Sequence, residues 1–177
     1  MKEMAAVISG FGGQGVLFLG KIIAYVGMLK GYEVSWLPSY GPEMRGGTAN
    51  CSVCISDAPI SSPLVTNPNT FLAMNLPSYQ KFIGSVEPGG IVIFDNTVIE
   101  APSSRQNLSI YGIPATKMSE REGLKGCTNL IMLGKLIQVT SLFTREEIQS
   151  VLEATVPKNR ASLLKKNMSA VECGLAL

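Results

Sequence analysis

Apolar residues recur along this chain in two alternating rhythms. Residues 4–8, Met-Ala-Ala-Val-Ile, form a continuous run that reads as a strand. Val16, Leu17, Leu19, Ile22, Ile23, Val26 and Leu29 then return at helical spacing, and Gly31 supplies a C-terminal stop. Residues 33–37 read as a second strand. The first 37 residues therefore predict a β-α-β unit, with its two strands parallel and its connection right-handed. The ten residues 38–47 carry no apolar periodicity and are too few for a helical crossover, so the strand at 48–55 is expected to run antiparallel to the second. Residues 56–69 are rich in Pro, Ser and Asn and read as a loop, with one short extended piece at 60–65.

Further along, residues 70–74 are an apolar run, and Pro77 suits the first turn of a helix over 77–84. Ile91-Val92-Ile93-Phe94 has the continuous β-branched character of a strand covered on both faces, and residues 109–113 resemble another strand. Beyond Pro114 the pattern is helical, with elements expected near 119–125, 128–140, 144–154 and 158–172. Ser119 with Glu122, and Thr144 with Glu147, have capping-box spacing. Strands alternating with helices predict an α/β fold: an open, mostly parallel, Rossmann-like sheet with helices on both faces, one antiparallel strand pair and a helical C-terminal third. A chain of 177 residues with 46% apolar content suits a single domain over 1–177.

Where the first strand meets the first helix, residues 10–15 read Gly-Phe-Gly-Gly-Gln-Gly. The G-x-G-x-x-G spacing at such a turn lets main-chain N–H groups and a helix N-terminus receive an anion, and it equally serves close packing of strand and helix. A dinucleotide site would also need an acidic residue ending the second strand, but that strand ends in Leu37-Pro38-Ser39 and Glu33 starts it. No Gly-Lys-Ser/Thr follows, which excludes a Walker loop. In open α/β sheets ligands gather at the carboxyl ends of the strands, so residues 10–15, 38–47, 75–77 and 95–97 should share one edge. Arg45, between Met44 and Gly46, has the guanidinium fork that suits a phosphate or carboxylate. It could equally pair with Glu43 or bond loop carbonyls. Asp95 either faces this edge or caps the next turn.

Composition narrows the chemistry. The chain has no histidine, so Ser-His-Asp and Cys-His arrangements are absent. Only 16% of residues are charged, which suggests surface covered by partners, and a net charge of +2 from scattered cations does not make a nucleic-acid groove. No signal peptide or membrane-length apolar run is seen, and the expected location is cytoplasmic. Four dispersed cysteines fit a reducing compartment. Cys51 and Cys54 fall three apart in a predicted strand, which puts their sulfurs on opposite faces and makes a shared metal a poor reading.

The run from Gly10 to Val16, the segment Pro38-Ser39-Tyr40-Gly41-Pro42-Glu43-Met44-Arg45-Gly46-Gly47, and Ile55-Ser56-Asp57 with Ser62-Pro63 closely resemble the gamma subunit of 2-oxoacid:ferredoxin oxidoreductases. The likeness continues through Gly89-Gly90, Asp95-Asn96, Pro114-Ala115-Thr116 and Asn129 with Leu133-Gly134; residues 123–128 depart from the family's usual wording. The resemblance implies one chain of an enzyme that converts a 2-oxoacid (pyruvate, 2-oxoglutarate, a branched-chain oxoacid or indolepyruvate) and coenzyme A to acyl-CoA and CO2, reducing ferredoxin. It implies alpha, beta and, where one exists, delta subunits as partners, with ferredoxin reached through the complex. Thiamine diphosphate, iron–sulfur clusters and coenzyme A belong to the assembled enzyme, and none is held by this chain alone. The expected cofactor-facing residues are Gly10, Gly12, Gly13, Gln14, Gly15, Ser39, Tyr40, Gly41, Glu43, Arg45, Gly46 and Gly47, lining coenzyme A or packing on the catalytic subunits. A stand-alone Rossmann-like nucleotide-binding protein is the alternative.

Overall fold

The computed structural model describes residues 3–39, 48–100, 105–156 and 161–177. Six strands, β1 (Met4–Phe11), β2 (Glu33–Ser39), β3 (Thr48–Ser56), β4 (Thr70–Ala73), β5 (Ile91–Asp95) and β6 (Ser109–Ile113), form one sheet in the order β2-β3-β1-β4-β5-β6. β4, β5 and β6 extend parallel from β1, while β3 is antiparallel to both of its neighbours. The antiparallel β2–β3 pair matches the sequence reading. The adjacency of the first two strands does not, because β3 lies between β1 and β2 and pairs with β1 from Met4↔Ile55 to Phe11↔Thr48. A strand buried on both faces can accept neighbours on both edges, and β3 carries Cys51, Val53 and Ile55 toward one core and Cys54 toward the other side. Residues 60–65 contain no strand.

Period-two alternation divides the sheet between two cores. Ala6, Ile8, Leu72 and Ile93 face the larger one, covered by α1 (Val16–Leu29), α3 (Ala115–Arg121), α4 (Thr128–Thr140), α5 (Arg145–Thr155) and α6 (Ala161–Leu175). Val7, Phe71, Val92 and Phe94 face the smaller core, where α2 (Leu76–Phe82) supplies Tyr79 and a 3-10 turn follows at Ile83–Ser85.

Thr144 and Glu147 close the expected capping box, each accepting the other's backbone N–H. Ser119 does not cap a helix: it lies inside α3, where its hydroxyl donates to the Leu124 carbonyl at 2.8 Å. The helix begins four residues earlier because the buried Asp95 carboxylate accepts the Thr116 N–H at 3.0 Å and the Thr116 hydroxyl, so a strand end caps it from across the fold. α4 and α6 cross at Gly134 and Gly174, where a β-carbon on either glycine would collide with backbone of the other helix.

Gly134→Val should therefore lower stability by about 3 kcal/mol through overpacking that side-chain rotation cannot relieve. Gly84→Ala, which faces open space, should stay within about 0.5 kcal/mol of the parent in urea unfolding.

Candidate functional site

At the carboxyl edge of the sheet the chain leaves β1 toward one face and β4 toward the other: α1 packs on the larger core and α2 on the smaller. Such a switch point opens a crevice between the two strands. The glycine turn stands at its mouth. Gly15 is the N-cap of α1 with φ 76°, a left-handed conformation that a side chain resists, and its missing β-carbon leaves room for the Asn129 amide. No side chain caps α1, so its first-turn N–H groups keep their donor capacity.

Two amides hold this turn in place. Gln14 Oε1 accepts the Phe11 N–H at 2.6 Å and Gln14 Nε2 donates to the Met74 carbonyl at 3.0 Å, which bridges the turn to the end of β4. Asn129, buried at the start of α4, donates from Nδ2 to the Gly15 carbonyl at 3.1 Å and accepts the Leu130 N–H at 3.0 Å. Gly10 has no space for a side chain beside Gln14 and Met74, whereas Gly12 and Gly13 are exposed. Gln14 therefore acts on the loop's shape, since its amide is turned onto two backbone groups. Asn129 belongs to the family likeness, but no local pattern shows its loop-shaping role, because its partner lies 114 positions away.

Across the crevice, Asn75 Oδ1 caps α2 through the Ser78 N–H at 2.8 Å. Asn75 Nδ2 and Ser78 Oγ are buried with no hydrogen-bond partner among the described residues. Asp95, the other expected feature of this edge, is fully buried and occupied by Thr97 N–H and Thr116, so it caps the following turn and helix. Ser39 ends β2 opposite Asn50 and is exposed. Tyr40, Gly41, Glu43, Arg45, Gly46 and Gly47 lie outside the described residues.

Residues 5–177 match the family model described as pyruvate ferredoxin/flavodoxin oxidoreductase. The chain belongs to this family. It is 35% identical to the ketoisovalerate oxidoreductase subunit VorA of Methanothermobacter marburgensis over 98% of its own length and 36% of the relative's, so it spans about a third of that longer chain. It is 32% identical to the 2-oxoglutarate synthase subunit KorC of Methanocaldococcus jannaschii, over 94% of this chain and 89% of that one. The fold matches a 2-oxoglutarate:ferredoxin oxidoreductase from Magnetococcus marinus, solved with 2-oxoglutarate, coenzyme A and succinyl-CoA bound, with a TM-score of 0.89 at 22% identity, over 99% of this chain and 31% of that one.

The cysteines do not assemble a ligand set. Cys51 is buried under α1, with its sulfur 3.7 Å from the Val16 carbonyl, while the Cys54 sulfur turns to Ser62 on the opposite face. Among the described residues no group of three or more His, Cys, Asp or Glu could hold a metal ion. Burial pushes the Cys51 thiol up to about 12, against a smaller opposing effect of the Trp36 side chain.

Two outcomes are expected. Gln14→Ala should cost about 1–2 kcal/mol and speed hydrogen exchange of the amides at 11–15, read by mass spectrometry. For Cys51, the thiol binds its proton more tightly folded than unfolded. Its contribution is complete below pH 9 and is lost as the pH rises from 9.0 toward about 12. The difference in stability between the parent and Cys51→Ala should shrink across that window, as measured by urea unfolding at stepped pH.

Proposed function

We propose that this chain is a gamma-type subunit of a 2-oxoacid:ferredoxin oxidoreductase, the enzyme class that converts a 2-oxoacid and coenzyme A to acyl-CoA and CO2 with electrons passing to ferredoxin. The observation that carries the reading is the nearly end-to-end match with KorC, 94% of one chain against 89% of the other. Decarboxylation and electron transfer need thiamine diphosphate and iron–sulfur clusters. The cysteines described above do not fit a cluster, which supports the reading that companion alpha and beta subunits carry the clusters and the thiamine diphosphate.

Within the assembly this chain contributes a shaped edge. Gly12 and Gly13 are exposed, the first turn of α1 has no side-chain cap, and Gln14 and Asn129 hold the turn between them. The main-chain N–H groups of such a turn can receive the phosphates of coenzyme A without a titrating side chain. Arg45, which follows the end of β2 by six residues, supplies the guanidinium fork for the same anion. A self-sufficient dinucleotide-binding role fits less well. β2 ends in Ser39 in place of the ribose-binding acid, and β3 displaces it from the side of β1.

The isolated chain should show no turnover of any 2-oxoacid with an artificial electron acceptor, and activity should appear on adding the alpha and beta subunits. In that enzyme Arg45→Ala should raise the KM for coenzyme A about 10-fold or more, the loss expected for a charge-assisted bond, and Arg45→Lys should restore only part of it. Turnover by the chain alone, or tight NAD or ATP binding by a lone monomer, would refute the assignment.

A further inference from the structure

We infer that the open edge of β6 is a docking strand: it takes an extended segment of a companion subunit that carries a carboxylate, placed to meet the ammonium of Lys135. The inference rests on the gamma-subunit assignment. β2 and β6 are the two edges of the sheet. An edge strand offers a row of unpaired main-chain groups, and chains ordinarily blunt it with charge or proline. β2 follows that rule, with Glu33 at its start and Pro38 near its end. β6, Ser109-Ile110-Tyr111-Gly112-Ile113, has neither.

The pairing with β5 shows which groups are open. Ser109 N–H donates to the Gly90 carbonyl and Asn96 N–H to the Ile113 carbonyl, so Ser109, Tyr111 and Ile113 turn their main chain toward β5. By alternation along the strand, the N–H and C=O groups of Ile110 and Gly112 turn the other way. On that side the sheet has no further strand among the described residues, and Ser109 and Gly112 are exposed. A row of this kind is matched by another extended backbone.

Lys135 supplies the charge that selects among strands. It lies on α4 and is only 9% exposed. Its Nζ stands 5.3 Å from the centre of the Tyr111 ring and donates to Gln138 Oε1 at 2.6 Å. No carboxylate among the described residues pairs with it, in contrast to Lys30, Arg121 and Arg145. A covered charge without a counter-ion is costly. A strand added to β6 would lie about 5 Å beyond Tyr111, and its side chain opposite Tyr111 on the same face would reach the ammonium. Asp or Glu at that position completes the pair. A second copy pairing β6 with β6 about a two-fold axis would keep both α4 helices on one face and bring two ammoniums together, so the occupant is a different chain.

The test mixes this chain with separately purified alpha and beta subunits of the same host's enzyme, reading affinity by analytical ultracentrifugation and amide exchange by mass spectrometry. Exchange at Ile110 and Gly112 should slow on assembly. Lys135→Met, which keeps the length of the stem, should weaken assembly about 10-fold or more. It should not lower the unfolding midpoint of the isolated chain, because an apolar replacement removes a covered charge that has no counter-ion. Lys135→Gln provides the same comparison if the Met variant does not fold. Unchanged affinity of a folded Lys135 variant would overturn the inference, as would unchanged exchange at Ile110 and Gly112 in the assembled enzyme. An equal loss from Lys165→Met, at an exposed position of α6, would also overturn it, since the effect would then be one of net charge. So would self-association of the isolated parent chain that slows the same two amides, since the occupant would then be a second copy. Failure of the parent chain to assemble would overturn the gamma-subunit assignment, and this inference with it.

Discussion

The closeness of α1 to the sheet sets the geometry of everything above it. A single added carbon at Gly20 would come within 2.5 Å of the Cys51 sulfur and 3.0 Å of the Trp36 indole nitrogen. At Gly27, seven residues on, it would meet Val34 and Ile55 at 2.9 and 3.1 Å. Two glycines one heptad apart let the helix lie flat across β2 and β3. That contact keeps Cys51 dry, which is why its thiol holds a proton far above the usual range. It also fixes the helix rotation, directing Ile22, Ile23 and Val26 inward and leaving Tyr25, Met28 and Leu29 outward.

With the helix seated, the turn before it has little freedom left. The chain must pass from β1 into α1 within residues 12–15, and the left-handed φ values of Gly13 and Gly15, 97° and 76°, make that reversal possible. Gln14 and Asn129 then convert a permissive glycine loop into a fixed one by bonding it to β4 and α4. A loop fixed in this way has little ordering left to do in any contact it makes. The glycine loop thus owes its shape to two neutral amides.

Local signals were legible where local energetics decide. The apolar spacing of α1, the Gly31 stop, and the Thr144–Glu147 box each report interactions within a few residues, and each element forms where its pattern lies. The same box spacing at Ser119 and Glu122 misleads because the start of α3 is settled by Asp95, some twenty residues away in sequence and on another element. The placement of β3 between β1 and β2 was hidden for a related reason. Loop length makes a strand antiparallel to its predecessor, but which second neighbour it takes depends on both of its edges being buried. At the candidate site the glycines were visible as a spacing, yet the ties that shape them join residues 60 and 114 positions apart. No window of sequence contains both ends of such a bond.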